Sequence, residues 1–272
     1  MSNQVGNSLY AIPADTPEKE RLGKQYAYKR TLFGWNSPMP PSLDVSGLTD
    51  ILDVGAGTCV WTFDFANMPQ VKPRPALPEK TQPKETLLVR LYACDIDTVF
   101  FPDRALLDEF GVFQQDVTKP FAPELRWKFD LVHSFTPASS PSRLRTHPGM
   151  IYTPSSDLIT LGRSLTYRLP HMLRAAWLKV KESRRIPCLI GKLAADRLEL
   201  ALFAEFSMEN FVFVFRHLAK GLLAKGKLRM PDGIVVAAEE QAESMLKEVE
   251  EGARRNGVVM LGGVFVAVKE ST

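Results

Sequence analysis

Cysteine is scarce in this chain of 272 residues, which contains Cys59, Cys94 and Cys188 and no others. They are odd in number, scattered and without the spacing of a metal site, so we expect no bound metal and a reducing, intracellular setting. Cys59 and Cys94 fall near the same predicted edge of a sheet, which leaves a disulfide between them as an alternative.

Long apolar runs are missing as well. No stretch approaches the roughly 20 apolar residues that a membrane-spanning helix requires. Residues 1–10 are polar and lack the apolar core of a signal peptide. We therefore expect no membrane contact and a cytoplasmic location.

Charge of one sign is not concentrated anywhere. The chain has 34 lysines and arginines against 31 aspartates and glutamates, and the two signs alternate along it. A surface that binds nucleic acid gathers basic residues in a stripe, so we expect no nucleic-acid partner. The length and the hydrophobic content of 45% suit one α/β domain with an appendage.

The most informative stretch is Ile51–Phe65, whose sequence predicts a buried strand, a glycine turn and the start of a helix. Gly55 and Gly57, with Ala56 between them, let the backbone turn tightly and approach a ligand. The helix that follows points free N–H groups into the same gap. Asp53 precedes the first glycine, and a valine replaces the third glycine of the dinucleotide fingerprint GxGxxG.

A second strand is predicted over residues 87–94 and delivers Asp95, followed by Ile96, to the same edge of the sheet. A carboxylate at this place can accept both hydroxyls of a ribose, as in dinucleotide-binding units. The proline-rich segment 68–84 reads as a loop insertion. It explains why Asp95 lies about twice as far from the glycines as the roughly 20 residues that are usual.

Two more strands, residues 111–115 and 129–134, are predicted to end at this edge, where open α/β sheets bind ligands. Asp116, followed by Val117, is placed to accept a hydrogen bond from an adenine amino group, or else it caps a turn. His133 either lines the ligand pocket, at the cofactor or at an acceptor, or is a structural residue. The predicted cofactor-binding residues are therefore Asp53, Gly55, Ala56, Gly57, Asp95, Ile96, Asp116, Val117 and His133.

Residues 1–36 are predicted to form a helical N-terminal appendage ahead of the domain in residues 37–272. The run Asp15-Thr16-Pro17-Glu18 supplies a cap, a proline in the first turn and acids at the positive end of the helix dipole. Gly34 marks the end of the helix. This helix packs on the domain, serves as a lid over cofactor and acceptor, or does both.

The remaining chain is predicted to hold both helices and strands. The elements are a short helix over 104–110, a fifth strand over 150–153, a helical segment over 164–181, a strand over 185–190, a helix over 237–255 and a closing strand over 264–268. A parallel crossover needs a dozen or more residues and usually a helix, and the segment before the fifth strand has barely room for one.

The stretches described above resemble the fungal LaeA-like (UMTA-type) family of methyltransferases that use S-adenosylmethionine (SAM). Residues 10–25 are similar to its N-terminal signature, Ile51–Phe65 to its Leu-Asp-x-Gly-x-Gly-Thr-Gly-x-Trp motif, and residues 113–116 and 129–134 to its adenine-binding and fourth-strand motifs. The resemblance implies a Rossmann-like class I methyltransferase fold with a mostly parallel central sheet and an antiparallel last strand. It also implies SAM as cofactor, a glycine turn that packs on an amino-acid moiety, and a small-molecule acceptor from secondary metabolism.

Three features depart from the family pattern. Cys59 stands where the family has its third motif glycine, Tyr26 stands where it has a histidine, and the helix between the fourth and fifth strands is mostly absent. A bare sheet face would imply a protein partner, a homodimer, or compensation by residues 154–180. The second hypothesis is therefore a methyltransferase-like scaffold or regulator that binds SAM weakly or not at all and acts through protein partners, in the nucleus as the family also allows.

Methyl transfer is an in-line displacement at a sulfonium carbon, which needs mostly positioning and, for a weakly acidic hydroxyl, a base. The candidate bases are His133, His147, Tyr152 and His171. The sequence favours none of them, so no catalytic residue is assigned.

Overall fold

The computed structural model describes residues 16–45, 47–71, 89–116, 119–125, 128–134, 171, 174–175, 178–224, 226, 228 and 235–269. The chain divides into two compact units. The first contains residues 1–30 and 34–135, and the second contains residues 31–33 and 136–272.

The first unit is built on a four-stranded sheet in which all neighbours are parallel. Its strands are β1 (Asp50–Val54), β2 (Arg90–Asp95), β3 (Gly111–Gln114) and β4 (Leu131–Ser134). Their spatial order is β3-β2-β1-β4. The strands β2 and β3 are therefore added on one side of β1 and β4 on the other, so the order of addition reverses between β1 and β4. This is an α/β, Rossmann-like arrangement, as the sequence predicted, and the point of reversal is where such sheets bind ligands.

The described residues of this part of the chain include two α-helices, α1 (Thr16–Phe33) and α2 (Val60–Ala66). Trp61 and Phe65 of α2 are buried against Ile51 of β1 and Leu91 of β2. Tyr26 of α1 joins the same cluster. The apolar positions of α2 therefore fix this helix on the sheet directly after the glycine turn.

The predicted helix over 104–110 is wrong beyond its first turn. Only Arg104–Leu106 forms a helical turn, of the 3-10 type, and the next bonds run from the N–H of Leu107 to Arg104 O and from the N–H of Phe110 to Leu107 O. Leu107 is buried in a cluster with Cys59 and Ala93. Anchoring this leucine in the core holds the backbone in successive tight turns.

The second unit contains a long antiparallel pair of strands, β5 (Leu178–Ile190) and β6 (Val258–Lys269). Between β5 and β6 the described residues form α3 (Lys192–Ala195), α4 (Ala204–Ala224) and α5 (Glu239–Asn256), with a 3-10 turn at Ala201–Phe203. The last strand, β6, is antiparallel to β5, and these two strands form a two-stranded sheet that is distinct from the all-parallel central sheet.

The predicted helix over 164–181 holds at residues 171 and 174–175 but is wrong at its end, where β5 begins. The first residues of β5 pair with the end of β6, Leu178 with Lys269 and Val180 with Ala267. This pairing over a long sequence distance overrides the local helical preference. The predicted helix over 237–255 is confirmed within a residue or two, and it ends at Gly257, whose φ is 72°.

Residues 72–84 of the proline-rich loop, the predicted fifth strand over 150–153 and the N-terminal residues 1–15 lie outside the described residues. The predicted shortening of the crossover between the fourth and fifth strands lies there too. In the part of the chain that the structure describes, no helix combines the length and apolarity needed to cross a membrane.

Candidate functional site at the carboxyl edge of the sheet

The glycine turn is bonded directly to the end of the neighbouring strand. The N–H groups of Gly55 and Ala56 both donate to the carbonyl of Cys94, at 2.8 and 3.1 Å. Gly55 and Gly57 have φ values of 70° and 53°, in the left-handed region that glycine adopts without a steric penalty. The turn after β1 is therefore held against the tip of β2 by backbone bonds.

Asp95 completes this arrangement from the end of β2. Its Oδ2 accepts a hydrogen bond of 2.8 Å from the N–H of Gly57, and its Oδ1 one of 3.4 Å from the N–H of Asp97. The residue is only 8% exposed. Burial raises the pKa of its carboxyl group, against the lowering effect of backbone N–H groups from Gly57, Asp97 and Ile96. The chain thus places a buried hydrogen-bond acceptor beside the glycine turn.

Asp53 and His133 lie side by side on neighbouring strands and contact each other. Oδ1 of Asp53 is 2.9 Å from Nδ1 of His133, and Oδ2 accepts a bond of 2.7 Å from Thr62 Oγ1. Asp53 is 1% exposed. The His133 ring also stacks on Trp61, with centroids 3.8 Å apart and planes 2° from parallel. Both predicted site residues therefore have contacts within the fold, which join β1, β4 and α2.

Asp116 lies two residues beyond the end of β3, at the same edge. Its backbone oxygen accepts from the N–H of Lys119 at 2.9 Å, and its carboxylate lies 3.5 Å from Lys119 Nζ. The N–H of Gln115 donates to Asp95 O at 2.8 Å, and the Gln114 side chain donates to Ile96 O at 2.8 Å. These bonds tie the ends of β2 and β3 together. Val117 lies outside the described residues.

Cys59 adopts a left-handed conformation, with φ 57° and ψ 19°, at the residue before α2. Among the described residues it is the one non-glycine with a positive φ. Its side chain is fully buried beside Ala93 and Leu107, so the thiol packs in the core. The glycine of the family pattern is thus replaced by a side chain that keeps the glycine conformation.

All three cysteines are free, so the alternative of a disulfide between Cys59 and Cys94 is wrong. Burial, reinforced by the carboxylates of Asp53 and Asp95, raises the pKa of each of these two thiols to about 12. Both thiols are therefore protonated at neutral pH.

Helix α1 lies over the glycine turn. A Cβ placed on Gly57 would be 3.4 Å from Cδ1 of Leu22. The position of the helix is fixed by Asp64 of α2, which accepts a hydrogen bond of 2.5 Å from the Tyr26 hydroxyl and pairs with Arg30. Burial and the Asp64 carboxylate raise the pKa of Tyr26. Sequence reasoning did not identify Leu22 as a site residue, although its place on the apolar face of α1 was visible.

The structure brings together Asp53, Gly55, Ala56, Gly57, Asp95, Ile96, Asp116 and His133 at or beside one edge of one sheet. Sequence reasoning did not pair Trp61 with His133, and the family motif ending in tryptophan was the only signal for it. His147 and Tyr152 lie outside the described residues, and His171 is exposed in the second unit. Within the described ranges, no group of three or more histidine, cysteine, aspartate or glutamate side chains is arranged to hold a metal.

No protein-family model and no curated protein matches this chain. Among solved structures, it is similar to StiE O-MT residues 961–1257, with 16% identity, coverage of 95% of this chain and 79% of that one, and a TM-score of 0.33. It is also similar to a provisionally named sarcosine dimethylglycine methyltransferase from Galdieria sulphuraria, with 8% identity, 97% and 93% coverage, and a TM-score of 0.36. Because these TM-scores are low, the fold assignment rests on the strand order and register of the chain itself.

Proposed function

We propose that the protein is a SAM-dependent methyltransferase that acts on a small molecule, in secondary metabolism. The observation that carries this proposal is the buried carboxylate of Asp95 at the end of β2, bonded at 2.8 Å to the N–H of Gly57 in the turn after β1. A carboxylate in this place accepts hydroxyl groups of a ribose. The glycine turn lets a ligand approach the backbone beside it.

The charges around the turn favour a cationic ligand over a pyrophosphate. Asp53 lies close enough to Asp95 to raise the pKa of the Asp95 carboxyl group. Asp53 is an acid that the dinucleotide fingerprint does not contain, and its charge next to the turn disfavours phosphates and favours a sulfonium or an ammonium group. The residues present therefore fit SAM better than they fit a dinucleotide.

Five of the predicted residues have a role in binding SAM that follows from their chemistry. Asp95 accepts the ribose hydroxyls, Gly55 to Gly57 provide backbone against the amino-acid end, and Asp116 accepts the adenine amino group. When bound, SAM supplies an electrophilic methyl group on its sulfonium. The chain itself contributes binding and orientation, which suffice for much of an in-line transfer.

The acceptor class is inferred from the resemblance to LaeA-like methyltransferases and from the absence of a concentrated basic surface in the sequence. A small molecule is the acceptor that this combination favours. We also propose a cytoplasmic location, which the three free, scattered cysteines favour.

Cys59 favours a second candidate, a methyltransferase-like scaffold that has weak or no SAM binding and works through protein partners. A left-handed non-glycine residue costs about 1–2 kcal/mol, and here it lies two residues after Gly57. Such a replacement is easier to tolerate where close approach of a ligand to the backbone is no longer required.

Titration calorimetry with SAM and S-adenosylhomocysteine separates the two candidates. The enzyme proposal expects micromolar binding that falls at least about tenfold in Asp95→Ala, since hydrogen bonds to a charged group are lost. Asp103→Ala is the matched control, because Asp103 is exposed and its side chain caps no helical turn. No heat from either ligand would reject SAM binding and favour the scaffold.

A further inference from the structure

A buried ion pair lies on the helix that covers the glycine turn. Oε2 and Oε1 of Glu18 each accept a bond of 2.6 Å, from Nε and Nη2 of Arg21 respectively. The Glu18 side chain is 1% exposed and that of Arg21 is 13% exposed. A charged pair so near the start of a helix is ordinarily solvated, so its burial requires an explanation.

The pair is directed to the candidate site by the geometry of the helix. Leu22 is one turn beyond Glu18, and residues four apart lie on the same face of a helix. The Leu22 Cδ1 atom is 3.4 Å from the position that a Cβ of Gly57 would occupy. Glu18 therefore lies on the face of α1 that meets the glycine turn, one helical turn from the contact.

Burying an ion pair is a poor way to stabilise a fold, because the cost of desolvating both charges offsets much of their attraction. The position of α1 is also fixed independently, through the contacts of Tyr26 and Arg30 with Asp64. The pair is therefore not the sole attachment of α1, and it lies on the face of the helix that meets the glycine turn. A preorganised pair of opposite charges is suited to a ligand that carries both signs.

We infer that Glu18 and Arg21 bind the amino-acid end of the cofactor, a deduction that rests on the proposed function. Glu18 accepts from the α-ammonium group, and Arg21 donates to the α-carboxylate. The ammonium and carboxylate groups of the ligand are attached to the same carbon atom. The carboxylate of Glu18 and the guanidinium of Arg21 are likewise in direct contact on α1. A guanidinium has five N–H donors in a planar fork, which suits a second carboxylate as well as the first.

The test compares two ligands that differ only at this end. S-adenosylhomocysteine carries the amino-acid group, whereas 5′-methylthioadenosine has the same nucleoside and sulfur without it. Calorimetry is done on the full chain, on Glu18→Gln and on Arg21→Gln. Glu20→Gln and Lys24→Gln are the matched controls, because they remove the same charges from exposed positions of α1.

We expect the unchanged protein to bind S-adenosylhomocysteine more tightly than methylthioadenosine. Each variant should lower the affinity for S-adenosylhomocysteine by about 10- to 100-fold, because a charge-assisted hydrogen bond is lost. The affinity for methylthioadenosine should change by less than about twofold, because this ligand lacks the amino-acid group. The controls should bind both ligands as the unchanged protein does. Retained binding of methylthioadenosine also shows that the variant is folded.

Where a variant does not fold, the test is the affinity of the unchanged protein for two S-adenosylhomocysteine analogues, one that lacks the amino group and one that lacks the carboxyl group. Loss of affinity for both analogues is expected. Two results would overturn the inference and leave the proposed function standing. The first is equal affinity of the unchanged protein for all the ligands, and the second is an equal loss of affinity for S-adenosylhomocysteine and methylthioadenosine in the variants. Failure of the unchanged protein to bind any of the ligands would instead reject the proposed function, and the inference with it.

Discussion

Thr62→Val tests whether a hydrogen bond to the buried carboxylate of Asp53 holds α2 on the sheet. The Thr62 hydroxyl donates to Oδ2 of Asp53 at 2.7 Å, and both residues are 1% exposed. Valine has nearly the shape of threonine but no donor. The substitution therefore removes one partner of Asp53 and leaves the packing between α2 and β1 in place.

The expected cost follows from the environment of the carboxylate. A hydrogen bond to a charged group contributes about 1.5–3 kcal/mol, and a buried acceptor that loses its donor bears the desolvation penalty. We expect Thr62→Val to lower the free energy of unfolding by about 2 kcal/mol. Thr62→Ser keeps the hydroxyl and removes one methyl group, for which the cost is about 1 kcal/mol.

The measurement is urea unfolding followed by tryptophan emission, with the midpoint and the slope compared across the three proteins. Trp61 lies one residue from the substitution and stacks on His133, so its emission reports on this part of the fold. The order of stability should be threonine, then serine, then valine. A valine variant as stable as the unchanged chain, or more stable than the serine variant, would refute the hydrogen-bond reasoning.

Three further predictions concern thiols, a turn and pH. Because the pKa of Cys59 and of Cys94 is about 12, their thiolate fraction at about pH 8 is on the order of one in ten thousand. Iodoacetamide should therefore modify the half-buried Cys188 first, and peptide mass spectrometry would show which cysteine has reacted. Gly257→Ala should lower the thermal midpoint, with a cost of about 2 kcal/mol or more, because φ is +72° and the new Cβ would lie 2.6 Å from a side-chain carbon and 2.9 Å from a backbone nitrogen. Burial raises the pKa of Asp95, so the folded state of the unchanged chain loses stability as pH rises from about 4 through that raised pKa. Asp95→Asn does not titrate, so its free energy of unfolding in urea should increase relative to that of the unchanged chain over this range.

Each of these three has an internal control. Unfolded protein should react at all its cysteines at similar rates, and native reaction at Cys59 or Cys94 ahead of Cys188 would contradict the burial argument. Gly221→Ala, in α4 with open space around its Cβ position, should be neutral or stabilising by up to about 1 kcal/mol. A pH-independent difference between the unchanged chain and Asp95→Asn would mean that the pKa of Asp95 is not raised.

Tertiary contacts decided the features on which sequence reasoning was silent or wrong. Asp53 and His133 are 80 residues apart in the chain, and only the parallel register of β1 and β4 makes them neighbours. The start of β5 at Leu178 likewise depends on its pairing with Lys269, which no local pattern contains. The left-handed conformation of Cys59 is stabilised by burial beside Ala93 and Leu107, against its own steric preference.

The sequence by itself determined the strand, turn and helix of Ile51–Phe65, and it placed Asp95 at the end of the next strand. These features depend on backbone freedom at glycine and on the periodicity of apolar side chains, both of which are local properties. The partners of Asp53, the buried pair on α1 and the full length of β5 and β6 depend on which segments meet in space. That information is distributed over the whole chain, so only the tertiary structure shows it.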